Sequence, residues 1–123
     1  MIDYRMGEME EKFADMIWEH EPVGSGELVR LAEENLGWKK STTYTVLKRI
    51  CEKGLFVNEN GQVSSLMSKS EWRGLQSEHF VEETFGGSLP KFLVAFTSRK
   101  KLTEEEIETL KKMIEDAGNS PGK

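Results

Sequence analysis

The sequence predicts a mainly α-helical protein with one small β-hairpin near its middle. Apolar residues recur three and four positions apart through most of the 123 residues, which is the spacing of amphipathic helices. Between residues 55 and 67 this spacing gives way to short β-prone runs on either side of Asn60-Gly61, a dipeptide that favours tight hairpin turns. Glycines at positions 37, 54 and 86 punctuate the chain where predicted helices end.

Two amphipathic helices are predicted before residue 38. The first covers residues 8–19 and is broken by Pro22 and Gly24. The second has Ser25 as its N-cap and Gly37 in the left-handed position that follows a helix. Their apolar stripes comprise Met9, Phe13, Met16 and Ile17 in the first helix and Leu28, Leu31, Ala32 and Leu36 in the second.

A third helix is predicted within WKKSTTYTVLKRICEKG, residues 38–54, after a very short connection. Its apolar positions, which we expect to face a core, are Thr43 (through its methyl group), Val46, Leu47 and Ile50. The opposite face carries hydroxyl groups and then cations: Ser41, Thr42, Tyr44, Thr45, Lys48 and Arg49. Short polar groups suit base edges and cations suit phosphates, so this face is a candidate DNA-binding surface. Two amphipathic helices with a short link form a helix-turn-helix.

The hairpin is predicted to pair residues 55–57 with residues 62–67. A two-stranded hairpin is marginal alone, so we expect it to pack on the three helices through Leu55, Val57, Val63 and Leu66. Together these elements predict a winged helix-turn-helix domain over residues 1–69. Candidate DNA contacts outside the third helix's exposed face are Lys39, Lys40 and Asn60. The hairpin tip has Glu59 and no cation, so its contacts with phosphate are expected to be weak.

The charge distribution supports this interpretation better than the total charge does. The net charge of −5 argues against nucleic acid, because affinity for DNA comes mainly from neutralising phosphates. Between Lys39 and Lys53, however, five cations accompany one acid. A basic stripe on an acidic body directs one face toward DNA. A solvated helix face explains the same charges about equally well, so charge alone leaves both interpretations open.

Three more helices are predicted from Ser70 onward. Ser70 caps the first, which Gly86 and Gly87 interrupt, and Ser88 begins SLPKFLVAF with a proline in its first turn. Residues 103–106, TEEE, form a capping box for the last helix. The apolar surface of residues 70–123 exceeds what these short helices bury by themselves, so we predict a homodimerisation region. A monomer whose helices fold back on the winged helix is the alternative. The candidate dimerisation residues are Trp72, Leu75, Phe80, Phe85, Leu89, Phe92, Leu93, Phe96, Ile107, Leu110 and Ile114.

Several other functional classes are not supported. His20 and His79 lie on separate predicted helices, and no glycine-rich phosphate loop or nucleophile motif appears, so we expect no enzyme. The single cysteine, Cys51, excludes an internal disulfide and a multi-cysteine metal site, so no metal or cofactor is expected; redox sensing by Cys51 is a minor alternative. The chain has no apolar run long enough to span a membrane and its start lacks signal-peptide features, so we expect a cytoplasmic protein that does not enter a membrane.

The segment 38–54, the hairpin that follows it, and then FGGSLPKFLVAF and KLTEEEIETLKKMIEDA resemble the penicillinase-repressor family of the BlaI/MecI type. The resemblance covers nearly the whole chain. It implies a dimeric repressor of transcription that binds a double-stranded DNA operator, with a sensor or protease controlling induction. It also implies that Thr42, Tyr44 and Thr45 lie in the part of the recognition helix that meets bases.

The sequence departs from the family's pattern at two places. Members that respond to β-lactams are cleaved at an asparagine-phenylalanine bond, whereas the matching pair here is Ala95-Phe96, which we expect to be ordinary core residues. A branch that senses copper has clustered C-terminal cysteines, and this sequence has none there. We therefore predict a homodimeric regulator, most simply a repressor that reads a pseudo-palindromic operator through the major groove. A winged helix that binds protein instead of DNA is the alternative.

Overall fold

The computed structural model describes residues 4–118 and confirms a mainly helical fold with a small sheet. The elements in chain order are α1 (Glu8–His20), β1 (Val23–Gly24), α2 (Ser25–Leu36), α3 (Lys40–Glu52), β2 (Phe56–Glu59), β3 (Gln62–Ser65), α4 (Lys69–Phe85), α5 (Leu89–Thr97) and α6 (Glu104–Gly118). The chain divides into two compact units, Met1–Phe80 and Val81–Lys123, with the division inside α4. No helix in the described part of the chain combines the length and apolar character needed to span a bilayer.

The first unit is a winged helix built around one apolar core. Its largest fully buried side chains come from α1, α2, α3, the hairpin and α4: Phe13, Ile17, Leu28, Ile50, Leu55, Phe56, Val63 and Trp72. Aromatic rings join the elements, with Trp38 packed 5.3 Å from Phe13 and Trp18 packed 5.1 Å from Phe56. Burying each such apolar side chain contributes about 1.5–3 kcal/mol, so this core holds α3 against α1 and α2.

The sheet has three antiparallel strands in the order β1-β3-β2. The predicted hairpin is confirmed: Asn58 pairs with Val63, and the turn at Asn60-Gly61 has φ angles of 55° and 86°, as a type I′ turn requires. The third strand, β1, was not predicted. It consists of two residues, Val23 and Gly24, which are extended because they pair with β3.

Two of the four hairpin side chains predicted to pack on the helices do not face the core. Leu55 and Val63 are buried as expected, but Leu66 is 61 % exposed and Val57 is only half-buried. Phe56 is buried where we expected Val57. Leu55 precedes β2, so it and Phe56 both face the core, and Leu66 lies beyond the end of β3.

Most predicted helix ends are confirmed. Gly37 ends α2 with a φ of 68°, Ser88 accepts a hydrogen bond from the Lys91 amide, and Thr103 and Glu106 form the reciprocal pair of a capping box. Two predicted caps were wrong. The N-cap of α2 is Gly24 and Ser25 is its first residue, while Ser68 with Glu71, and not Ser70, caps α4.

The second unit leaves much of its apolar surface exposed. Phe92 packs against Phe85 and Phe96, with ring centroids 5.6 and 6.1 Å away. An open groove of about 470 Å³ between α5 and α6 is lined mainly by Phe92, Leu93, Phe96, Leu102 and Leu110. The expectation that Ala95 and Phe96 lie in the core was wrong for the single chain: both are exposed, and no residue of α5 is buried.

Candidate nucleic-acid interface

The two faces of α3 separate as the sequence predicts. Thr43, Val46, Leu47 and Ile50 are buried in the core, so the helix is held by one complete side. The opposite side is in contact with solvent along its whole length. It presents Ser41, Thr42, Tyr44, Thr45, Lys48 and Arg49, all of them exposed. Lys39 and Lys40, at the start of the helix, are exposed as well.

The exposed side of α3 has a centre and two flanks. At 100° per residue, Ser41, Thr45 and Lys48 point most directly away from the buried side. Arg49 lies on the flank beside α1, where its guanidinium pairs with Glu10 at 3.1 Å. Tyr44 lies on the flank beside the hairpin, and its hydroxyl is 3.4 Å from the Ser25 hydroxyl. The central row is therefore the part of the helix that is best placed to enter a groove.

The hydroxyl of Thr45 is already committed as a donor. Its Oγ1 donates a hydrogen bond to the Ser41 carbonyl at 2.9 Å, a common bond for threonine within a helix. Because the hydroxyl proton is used, Thr45 offers a ligand only its oxygen lone pairs and its methyl group. Those groups accept from an exocyclic amine or pack against a thymine methyl.

The cations of the predicted basic stripe are not equivalent. Lys48 is exposed and, among the described residues, has no carboxylate within ion-pair distance. Arg49 is shared with Glu10. Lys53 does not belong to the stripe at all: it is 8 % exposed, and its Nζ donates to the Arg5 carbonyl at 2.6 Å. The count of cations from the sequence therefore overstated the positive charge of the exposed face.

The hairpin turn is tied to the start of α2. The Ser25 amide donates to the Gly61 carbonyl at 2.7 Å, and the Asn58 side chain accepts from the Gly61 amide at 3.0 Å. Asn60 is exposed at the tip. Ser25 thus links the hairpin turn to the Tyr44 flank of α3. The sequence predicts Ser25 only as a helix cap, because no local pattern signals its link to the hairpin turn.

The structure gives Cys51 and the histidines structural surroundings. Burial and the charge of Glu52 raise the pKa of the Cys51 thiol, which keeps it protonated and weakens the case for redox sensing. His20 Nδ1 lies 2.8 Å from the Met16 carbonyl, and the His79 ring stacks on Tyr4. Within residues 4–118, histidine, cysteine and acidic side chains do not gather in groups that would hold a metal ion.

The candidate dimerisation residues fall into three environments. Trp72 is 2 % exposed and belongs to the core of the first unit, so it has no surface left for a second chain. Leu75 and Phe80 lie further along α4 in the first unit, half-buried and exposed respectively. The second unit contains the remaining candidates: Phe85, Leu89, Phe92, Leu93, Phe96, Ile107, Leu110 and Ile114.

Comparison with known proteins agrees with this architecture. Residues 6–116 match the model of the family described as Penicillinase repressor. The Penicillinase repressor of Bacillus licheniformis is 25 % identical over 108 residues, which cover 85 % of this chain and 84 % of that protein. The Methicillin resistance regulatory protein MecI of Staphylococcus aureus strain N315 is 21 % identical over 115 residues, or 90 % of this chain and 94 % of that protein. Members of this family are transcriptional regulators and not enzymes. Because the match covers nearly all of the sequence, the chain belongs to the penicillinase repressor family.

Proposed function

We propose that this protein is a homodimeric, sequence-specific repressor that binds a pseudo-palindromic DNA operator with α3 in the major groove. The two-sided character of α3 carries the proposal. Four buried side chains hold the helix on the core, while its polar side chains are exposed and available. An α-helix held in this way fits the width of the major groove of B-DNA.

Each exposed group then has a role that suits its chemistry. Ser41, Thr42, Tyr44 and Thr45 contact bases, since they lie in the first two turns of the helix. The cations Lys39, Lys40, Lys48 and Arg49 contact phosphates, which sets the position of the helix on the duplex. Asn60, at the exposed tip of the β2–β3 hairpin, contacts the sugar-phosphate backbone of the DNA.

Dimerisation is assigned to the helical region that begins at residue 70, without Trp72. The groove between α5 and α6 and the exposed apolar side chains of the second unit support this assignment, because a second chain buries such surface. A two-fold dimer places two copies of α3 about one DNA turn apart, or a multiple of it. This geometry requires the operator to be a two-fold repeat.

Release from DNA is assigned to a partner, either a sensor or a protease. The pair Ala95-Phe96 lacks the asparagine of the cleaved family members, so the proposed release does not depend on cutting that bond. Since a repressor has to reach chromosomal DNA, the proposal also places the protein in the cytoplasm.

The test begins with selection of bound fragments from the source genome. The affinity for the selected duplex is then measured by anisotropy between 50 and 200 mM salt. Over this range a protein that makes several phosphate contacts loses about 10³–10⁵ in affinity. Four cations on each protomer predict a slope of log K against log salt of about −7 for the dimer. Light scattering should give twice 14.1 kDa. A flat salt response, or equal affinity for random duplexes, contradicts DNA recognition and favours a protein-binding winged helix.

A further inference from the structure

We propose that residues 4–10, which we call the N-terminal clasp, couple the recognition helix α3 to α4, so that the position of α4 sets the orientation of α3. The clasp contacts both helices through neighbouring backbone groups. Its effect on DNA binding rests on the function proposed above, whereas the mechanical coupling within the protein does not.

On one side, the clasp holds the C-terminal end of α3. The Lys53 ammonium is buried and donates to the Arg5 carbonyl at 2.6 Å. Arg49 pairs with Glu10, and the Glu10 carboxylate is in turn held by the Gly7 amide at 3.1 Å. Hydrogen bonds to a buried ammonium offset the cost of burying its charge, so the Arg5 carbonyl helps to hold the end of α3 in place.

On the other side, the clasp is held by one face of α4. The Tyr4 ring stacks on Trp72, with centroids 5.9 Å apart, and on His79, with centroids 4.4 Å apart. Between these two residues, the Gln76 side chain donates to the Tyr4 carbonyl at 3.1 Å. Positions 72, 76 and 79 are four and three apart, so they form a single row along the helix.

The two anchors are adjacent in the chain. The Tyr4 carbonyl accepts from α4 and the next carbonyl, that of Arg5, accepts from α3. A movement of α4 that shifts Tyr4 also shifts Arg5, and the buried Lys53 then has to follow or lose its hydrogen bond to that carbonyl. Because α4 continues to Phe85 and into the second unit, changes in the proposed dimerisation region reach α3 by this route. Such coupling is reciprocal, so DNA bound at α3 also acts on α4.

Amide hydrogen exchange of the free, full-length protein tests the coupling without DNA. In Tyr4→Ala and in Gln76→Ala we expect exchange in the last turn of α3, residues 49–52, to become about threefold to tenfold faster, with α2 unchanged. Tyr4→Phe keeps the stacking ring, so amide exchange at residues 49–52 should stay at the wild-type rate. Ser77→Ala is the control on α4, because the Ser77 hydroxyl donates within its own helix, to the Arg73 carbonyl. Wild-type exchange at residues 49–52 in Tyr4→Ala, or equal acceleration in α2, overturns the proposal.

A second measurement adds the selected operator duplex. In the wild type, we expect DNA to protect α3 directly and also to slow exchange at residues 72–79. In Tyr4→Ala, DNA should still protect α3 but should no longer protect residues 72–79. Equal protection of residues 72–79 in both proteins contradicts the coupling. If DNA protects neither helix, the proposed function fails, and the measurement on the free protein still decides whether the clasp links α3 to α4.

Discussion

The guanidinium of Arg49 lies 3.1 Å from the carboxylate of Glu10, so an acid from α1 holds a cation on the flank of the recognition helix. The Arg49 side chain is 55 % exposed and that of Glu10 only 15 %. An ion pair with one partner in solvent contributes at most about 1 kcal/mol. A DNA phosphate is therefore able to compete with Glu10 for Arg49, and Glu10 reduces the affinity for DNA.

Replacing Glu10 should strengthen DNA binding. In Glu10→Gln the side-chain oxygen still accepts from the Gly7 amide, but the charge that competes with phosphate is gone. We expect tighter binding to all duplexes, measured by anisotropy, with a salt slope close to the wild-type value because Arg49 contacts phosphate in both proteins. Glu11→Gln, one residue further along α1, is the control for the loss of a negative charge. Equal effects of the two substitutions would show that the contact with Arg49 is not responsible.

The Glu10 carboxylate should make the free energy of unfolding depend on pH. Burial of Glu10 raises its pKa, but hydrogen bonds from Gly7 and Arg49 and the charges of Lys53 and Arg49 outweigh burial and bring the pKa below the ordinary 4.5. A lowered pKa in the folded state contributes stability that is present above pH 4.5 and disappears as the pH falls through the lowered value. Urea unfolding should show wild type more stable than Glu10→Gln at pH 7, with the difference vanishing below the folded-state pKa. A constant difference at all pH values would contradict this.

Two lysines of the same region should behave differently when their charge is removed. Lys48→Met should weaken binding to every DNA sequence by the same factor and flatten the salt slope by about 0.9 for each protomer, because it removes a phosphate contact. Lys53→Met should leave the slope unchanged and lower the free energy of unfolding by about 1 kcal/mol, because it removes the buried hydrogen bond to Arg5. An unchanged slope in Lys48→Met would remove that residue from the DNA interface.

Thr45 should affect the choice among bases and not the overall affinity. Because its proton is bound by the Ser41 carbonyl, only its oxygen and methyl group are available to a base. Thr45→Val keeps the shape and the methyl but loses the acceptor, so we expect about tenfold weaker discrimination at one operator position and an unchanged salt slope. Competition binding with single-base operator variants measures this. An equal loss of affinity for all variants would exclude base contact by Thr45.

The groove between α5 and α6 provides the test of dimerisation. Phe96 lines this groove and is 42 % exposed in the single chain, so Phe96→Glu places a charge on the surface that we propose is buried between protomers. We expect light scattering to fall from twice 14.1 kDa to 14.1 kDa, with the near-ultraviolet circular dichroism of the first unit's tryptophans retained. Lys91→Glu, an exposed change on the same helix, should remain dimeric. A dimer that survives Phe96→Glu would place the interface elsewhere.

Local patterns in the sequence were sufficient for most of the fold and for the exposed face of α3. The spacing of Thr43, Val46, Leu47 and Ile50 predicts which side of that helix is buried, because helical periodicity depends only on neighbours within two turns. Caps and turns such as Gly37, Ser88 and Asn60-Gly61 were also predicted correctly. Each depends on backbone groups no more than a few residues away.

Only the tertiary structure decided which of the polar side chains are available. Lys53 and Arg5 are 48 positions apart, Arg49 and Glu10 are 39 apart, and Gln76 and Tyr4 are 72 apart. No local pattern links such pairs, since they meet only when α1, α3 and α4 pack around a common core. The same packing places Trp72 inside the first unit and pairs β1 with the hairpin. Chain-local spacing thus determined the elements and their faces, whereas burial and long-range hydrogen bonds determined the use of each charged group.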